Sequence, residues 1–129
     1  MDAFYYRKLE VYQSAKALTK QVCNLLKAYP TEERFALCLQ LRRAVMSVPI
    51  NIAEGFGRFS YKEKAHFIEI AYGSLTEVLC ELELSFDLHY ISEQDFRHAE
   101  EQITVIAKQL SGLHASVIRN GSSRFSPSP

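Results

Sequence analysis

Chain-breaking residues are scarce in this sequence of 129 residues: four prolines and five glycines are too few for the many tight turns of a sandwich or barrel. No uncharged run exceeds ten residues, Ala44 to Ala53 being one, and that is half of what a bilayer span needs. Arg7, Lys8 and Glu10 follow directly on Phe4-Tyr5-Tyr6, so the start offers no apolar stretch for a secretory leader. Three cysteines, Cys23, Cys38 and Cys80, are odd in number and lack C-x-x-C spacing, which fits reduced thiols of a cytosol rather than a disulfide framework. Net charge is absent too, with 15 Lys and Arg against 15 Asp and Glu. What is present is a globular balance, 47% hydrophobic and 23% charged, which argues against intrinsic disorder and is long enough to bury a core. The expectation is a soluble, cytoplasmic, single-domain protein with no membrane partner.

The charge is unevenly placed. Residues 1–64 hold eleven bases against six acids, a net +5, and residues 65–129 hold four bases against nine acids, a net −5. Such a split supplies a basic face for nucleic acid, or two faces that attract each other between subunits, or simple neutralisation within one folded unit.

Four segments repeat apolar residues by threes and fours, the helical period. In the first, Val11, Ala15, Leu18, Val22, Leu25 and Tyr29 form a stripe that Pro30 stops. In the second, Cys38, Leu41, Val45, Val48 and Ile52 run to an exit at Gly55 and Gly57. Ser60 opens the third as a capping-box residue with Glu63 three positions on, and Phe67, Ala71, Ser74, Val78 and Leu82 lie on one face, widened by Leu75, Leu79 and Phe86. Ser92 opens the fourth, whose stripe is Phe96, Ala99, Ile103, Ile106, Leu110, Leu113 and Val117. Short links between long helices make neighbours antiparallel. The sequence therefore predicts an all-α, up-down-up-down antiparallel four-helix bundle over residues 1–119, with helices of about 22 to 28 residues, and a disordered C-terminal tail over 120–129.

Two residues break the pattern. Pro49 lies inside the second helix, where it removes a backbone donor and frees the carbonyl of Val45. Because the stripe continues through Val48 and Ile52, the expectation is a kinked helix rather than a broken one, with Ser47 or Asn51 as candidates to bond the freed carbonyl. Gly73 costs about 1 kcal/mol against alanine in a helix interior. With Ala71 and Ser74 it forms a small-residue patch that another helix, of the same chain or of a neighbouring subunit, can approach.

The run Gln40-Leu-Arg-Arg-Ala-Val-Met-Ser-Val-Pro-Ile-Asn-Ile-Ala-Glu-Gly55 closely resembles the signature of the four-helix-bundle family encoded in 23S ribosomal RNA intervening sequences. Ala71-Tyr-Gly-Ser-Leu-Thr-Glu77 resembles that family's second block. The opening around Leu9 to Ala15, and Pro30 and Glu33, also fit, so the resemblance spans nearly the whole chain short of the tail. It implies a homo-oligomer, a pentameric barrel, and association with nucleic acid. A more distant branch serves as the accessory protein of diversity-generating retroelements and binds nucleic acid and a reverse transcriptase through a strongly basic surface, whereas this chain is neutral overall. The family motif falls here on Arg43, Asn51, Glu54, Gly55, Gly73, Ser74 and Glu77. With the second and third helices antiparallel about the Gly55–Ser60 turn, Arg43 and Glu77 come to similar levels, close enough for a bidentate ion pair with Ser74 nearby. Glu54 is placed to pair with Arg58 or to face a neighbouring subunit.

The chemistry of an enzyme finds no support. Glu63-Lys-Ala-His66 and Asp95-Phe-Arg-His98 approach the spacing of a di-iron bundle, but they begin helices that run in opposite directions and so lie about 35 Å apart. Cys23, Cys38, Cys80 and His98 can share a level and match a Cys3His zinc set in type, yet no pair has the spacing of an efficient clip. Gly73-Ser74 lies mid-helix rather than on a nucleophile elbow, and Gly55-Phe-Gly57 is a helix exit rather than a phosphate loop. No metal, cofactor or small-molecule substrate is expected. Arg42, Arg58, Lys62 and Lys64, interleaved with Phe56, Phe59 and Tyr61, are the candidate nucleic-acid contacts, since cations hold phosphates and exposed rings stack on bases. The sequence thus supports a non-enzymatic homo-oligomeric scaffold associated with RNA or with a nucleic-acid-processing protein. The alternative is a protein–protein interaction module with no nucleic-acid partner.

Overall fold

The computed structural model describes residues 3–125, the last four by backbone only. A four-residue 3-10 turn, Tyr5–Lys8, leads into α1 (Glu10–Leu26); a second 3-10 turn, Thr31–Glu33, precedes α2 (Leu37–Phe56), and α3 (Tyr61–Asp87) and α4 (Glu93–Phe125) follow. No strand occurs among the described residues, and no helix there is long and apolar enough to cross a membrane. Each helix packs on its two neighbours around the ring α1–α2–α3–α4, the up-down-up-down arrangement that short links impose.

The helices begin where side chains can satisfy their first amides. Ser60 Oγ accepts from the Glu63 amide at 3.0 Å, and Ser92 Oγ accepts from the Asp95 amide at 3.0 Å. At the far end of α3, His89 takes φ 63° and the Tyr90 amide reaches back to the Ser85 carbonyl at 2.9 Å, a helix stop that usually recruits glycine. Core positions follow the sequence stripes closely in α1, α2 and α4, with Leu18, Val22, Leu41, Val45, Ile106 and Leu110 fully buried. In α3 the buried face is turned relative to the sequence reading. Ile68, Leu75, Val78 and Leu82 form its centre, while Phe67 and Ser74 are only half-buried. Two flanking helices, α2 and α4, cover a wider arc of α3 than one apolar stripe reveals.

Helix lengths differ from expectation at three places. α1 has 17 residues and α2 has 20, because the chain between them spends residues 27–36 on turns around Pro30. α4 has 33 residues and carries on to Phe125, past the boundary expected at Arg119. Its extra turn rests on α3: a Cβ at Gly121 would come within 2.8 Å of Tyr61 Cβ, so only glycine fits this approach. The expected tail therefore begins as helix, and residues 126–129 lie outside the described residues.

α2 runs through Pro49 as one helix. The partner for the carbonyl freed by Pro49 comes from another helix, not from Ser47 or Asn51. Thr19 Oγ1 of α1 lies 3.2 Å from the Val45 carbonyl and 2.9 Å from the Ala15 carbonyl, sharing its one proton between them. The proline thereby becomes a link between α1 and α2. Thr19→Val, which keeps the shape and removes the hydroxyl, is expected to cost about 1 kcal/mol, read as a lower urea midpoint, while Thr19→Ser retains most of the stability.

Candidate functional site

The motif residues gather at the α2–α3 seam. Asn51 Nδ2 donates to both the hydroxyl and the carbonyl of Ser47, each at 2.8 Å, and the Ser47 and Ser74 hydroxyls stand 2.7 Å apart. Ser47 thus joins Asn51 to Ser74 in one hydrogen-bonded group, with either hydroxyl able to donate across the seam, and this contact fixes the relative height of the two helices. One turn below this seam, Gly55 is buried against α3, and a Cβ there would meet Phe67 Cβ at 3.0 Å and the Lys64 carbonyl at 3.3 Å. Arg43 and Glu77 are exposed and do not form the expected ion pair. The seam puts them at nearly the same level, but the height of a residue does not set its direction around the helix axis. The expected small-residue patch divides: Ala71 is buried in the core and Ser74 meets Ser47 of α2, whereas Gly73 points outward with no atom within 4 Å of an added Cβ.

The four expected nucleic-acid contacts divide. Arg58 and Lys64 are engaged within the α2–α3 turn. Arg58 Nη2 lies 3.3 Å from Glu54 Oε2 with its guanidinium over the Phe67 ring, and Lys64 donates to the Arg58 carbonyl with its ammonium over Phe56. Burial pushes the Lys64 ammonium below the usual lysine range. Lys62 is exposed beside Phe59, which is fully open to solvent. Arg42 stands apart, fourteen residues before the end of α2, or about 21 Å along its axis. The 3-10 turn at Tyr5–Lys8 and the end of α4 bring Arg7, Lys8 and Arg119 to the same end of the bundle as Lys62. The opposite end collects Glu32, Glu33, Glu83, Asp87, Glu93 and Asp95.

A concave surface was not singled out from the sequence. A groove of about 840 Å³ runs between the first 3-10 turn, α1 and α2, floored by Tyr12, Met46, Pro49, Ile50 and Phe56. Met46 and Ile50 are exposed, Ile50 by 55%, and Lys16 and Lys20 stand on the α1 rim. The signal was legible in retrospect: Met46 and Ile50 are apolar residues of α2 that fall off its buried stripe.

At the acidic end a buried polar cluster interrupts the core. Glu81 is 5% exposed, and its Oε1 has no hydrogen-bond partner among the described residues; the same holds for the buried hydroxyl of Tyr29. Ser85 gives its proton to the Glu81 carbonyl at 2.8 Å. Desolvation, with Glu77 one turn away, raises the Glu81 carboxyl to about 7. Burial also raises the Tyr29 hydroxyl and the Cys38 thiol. Cys23 is half-buried and Cys80 exposed, and among the described residues no three His, Cys, Asp or Glu side chains are placed to hold a metal ion.

The model of one protein family, described as 23S rRNA-intervening sequence protein, matches residues 7–112. No curated protein matches the chain. Among solved structures, a protein of unknown function from the S23 ribosomal protein family of Bacteroides thetaiotaomicron is similar in fold, with a TM-score of 0.76 and 24% identity, over 81% of this chain and 95% of that one.

Proposed function

Since the chain belongs to the 23S rRNA-intervening sequence protein family, we propose that it is a non-enzymatic scaffold that assembles with copies of itself and associates with RNA. The observation that carries self-assembly is the groove between α1 and α2, in which the exposed Met46 and Ile50 stand one helical turn apart on an apolar floor. A ring of five is the number the family resemblance sets. Static light scattering at micromolar concentration is expected to give several times the 14.8 kDa of one chain, and a monomer overturns this part.

RNA association is supported by the polarity of the bundle. Arg7, Lys8, Lys62 and Arg119 share one end with the fully exposed Phe59 ring, and they form no ion pair among the described residues. Free cations beside an open aromatic ring suit phosphates and an unstacked base. A symmetric ring repeats this end once per subunit, so weak contacts combine. Filter binding to single-stranded and structured RNA is expected to weaken as salt rises, and Lys62→Glu to reduce the salt slope. Absence of binding at low salt leaves the protein-interaction module as the function.

A further inference from the structure

Self-assembly leaves open which surfaces meet, and the structure holds two that match. We infer, on the basis of the self-assembly reading, that the groove between α1 and α2 receives the outer face of α3 from a second copy, in a head-to-tail contact.

Charge is the first argument. The first 3-10 turn, α1 and α2 together carry six bases and two acids, a net +4, while α3 carries six acids and two bases, a net −4. Placing groove on groove by a two-fold axis would bring together two surfaces that both carry Lys16 and Lys20, like charge facing like. Placing groove on α3 sets them against acids.

Shape is the second. The outer face of α3 exposes Ile70 and Tyr72, and between their turns Gly73 has open space where a Cβ would stand. A glycine in a helix interior costs stability, and no contact within the chain uses this one. Its use is the close approach of a second surface, and Met46 and Ile50 are exposed apolar side chains of the groove that such a surface would cover.

Level is the third. Thr19 meets Val45, and Ser47 meets Ser74, so the antiparallel helices put Lys20, Ala44 and Glu77 at one height. By the same count Lys16 is level with Gly73, and Ile50 with Ala71. Rotation about an axis parallel to the bundle keeps every residue at its own height. In such a ring Lys20 of one copy meets Glu77 of the next, and Ile50 lands beside the gap at Gly73. Neither Lys20 nor Glu77 has an ion-pair partner among the described residues of its own chain.

The test uses one variant for each face, both at exposed positions where the protomer has room: Ile50→Asp in the groove and Gly73→Trp on α3. Each alone is expected to sediment as a monomer, with assembly weakened by at least ~30-fold, the loss typical of a central contact residue. Mixed together, they retain one intact face each and are expected to form a one-to-one heterodimer and nothing larger. Lys20→Glu and Glu77→Lys provide a charge-reversal check: each alone weakens assembly, and the double variant in one chain restores it. A wild-type oligomer that survives either Ile50→Asp or Gly73→Trp, or a mixture that yields no heterodimer, overturns this inference and leaves self-assembly standing through other faces. A monomeric wild type overturns self-assembly itself. A monomeric wild type whose binding of a single-stranded oligoribonucleotide is abolished by Ile50→Asp assigns the groove to RNA instead.

Discussion

Raising the pH from about 5 to about 8 is expected to destabilise the fold by about 2–3 kcal/mol, and Glu81→Gln is expected to abolish most of that loss. Glu81 is 5% exposed with one carboxyl oxygen lacking a partner, and its carboxyl is raised to about 7 from an ordinary value of 4.5. Below the ordinary value both folded and unfolded chains hold the proton, and Glu81 adds no pH dependence. Between the two values the unfolded chain has released a proton that the folded chain keeps, so stability falls as pH rises. The loss is complete once the folded carboxyl also ionises, above about 7. The charged form has little to compensate it: Glu77 on the same helix repels it, while the neighbouring Tyr29 and Cys38 are themselves kept neutral by burial. Urea titrations at a series of pH values read this directly. Glutamine mimics the protonated acid in shape and neutrality, so the variant should match wild type at low pH and exceed it at high pH. An unchanged pH slope in Glu81→Gln would assign the effect elsewhere.

Glu81 also marks where sequence reasoning stopped. The apolar period located all four helices and the capping residues Ser60 and Ser92, because each of those signals is local. Glu81 lies next to the stripe of α3, and whether it is covered depends on the chain beyond Pro30 and on Tyr29 folding over that end of the bundle. The register of α2 against α3 was legible from the turn length, and Ser47–Ser74 realises it. The Arg43–Glu77 pair built on that register does not form, because counting residues gives height and not azimuth. Thr19 was invisible as the partner of Val45: a threonine on the shoulder of a helix acquires meaning only when the neighbouring helix contains a proline one turn above the carbonyl it faces. The groove was hidden for a similar reason. Met46 and Ile50 follow no period of their own, and the first 3-10 turn that walls them in is four residues long, too short to show one. The candidate RNA contacts divided because nearness in sequence brought Arg58 and Lys64 to Glu54, Phe56 and Phe67, which use their charges within the turn.

The two motif glycines are expected to respond to the same substitution with opposite signs. Gly55→Ala should destabilise the protomer by about 1–2 kcal/mol, as overpacking does, whereas Gly73→Ala should stabilise it by about 1 kcal/mol. Alanine is the better helix former at both sites, so propensity alone predicts a gain twice. At Gly55 the new methyl meets Phe67 Cβ at 3.0 Å and the Lys64 carbonyl at 3.3 Å. Neither atom is the free end of a flexible side chain, so α2 and α3 must part, which also stretches the Ser47–Ser74 contact. At Gly73 the methyl meets nothing within 4 Å. Both measurements belong in the Ile50→Asp background, where the protomer is isolated and stability is not mixed with association. In the assembling protein Gly73→Ala should then reverse its sign, because the space it fills is the space the next copy enters. A gain that persists unchanged in the oligomer would place the subunit contact away from α3. Equal gains at both glycines in the isolated protomer would mean that the α2–α3 seam is looser than 3.0 Å allows.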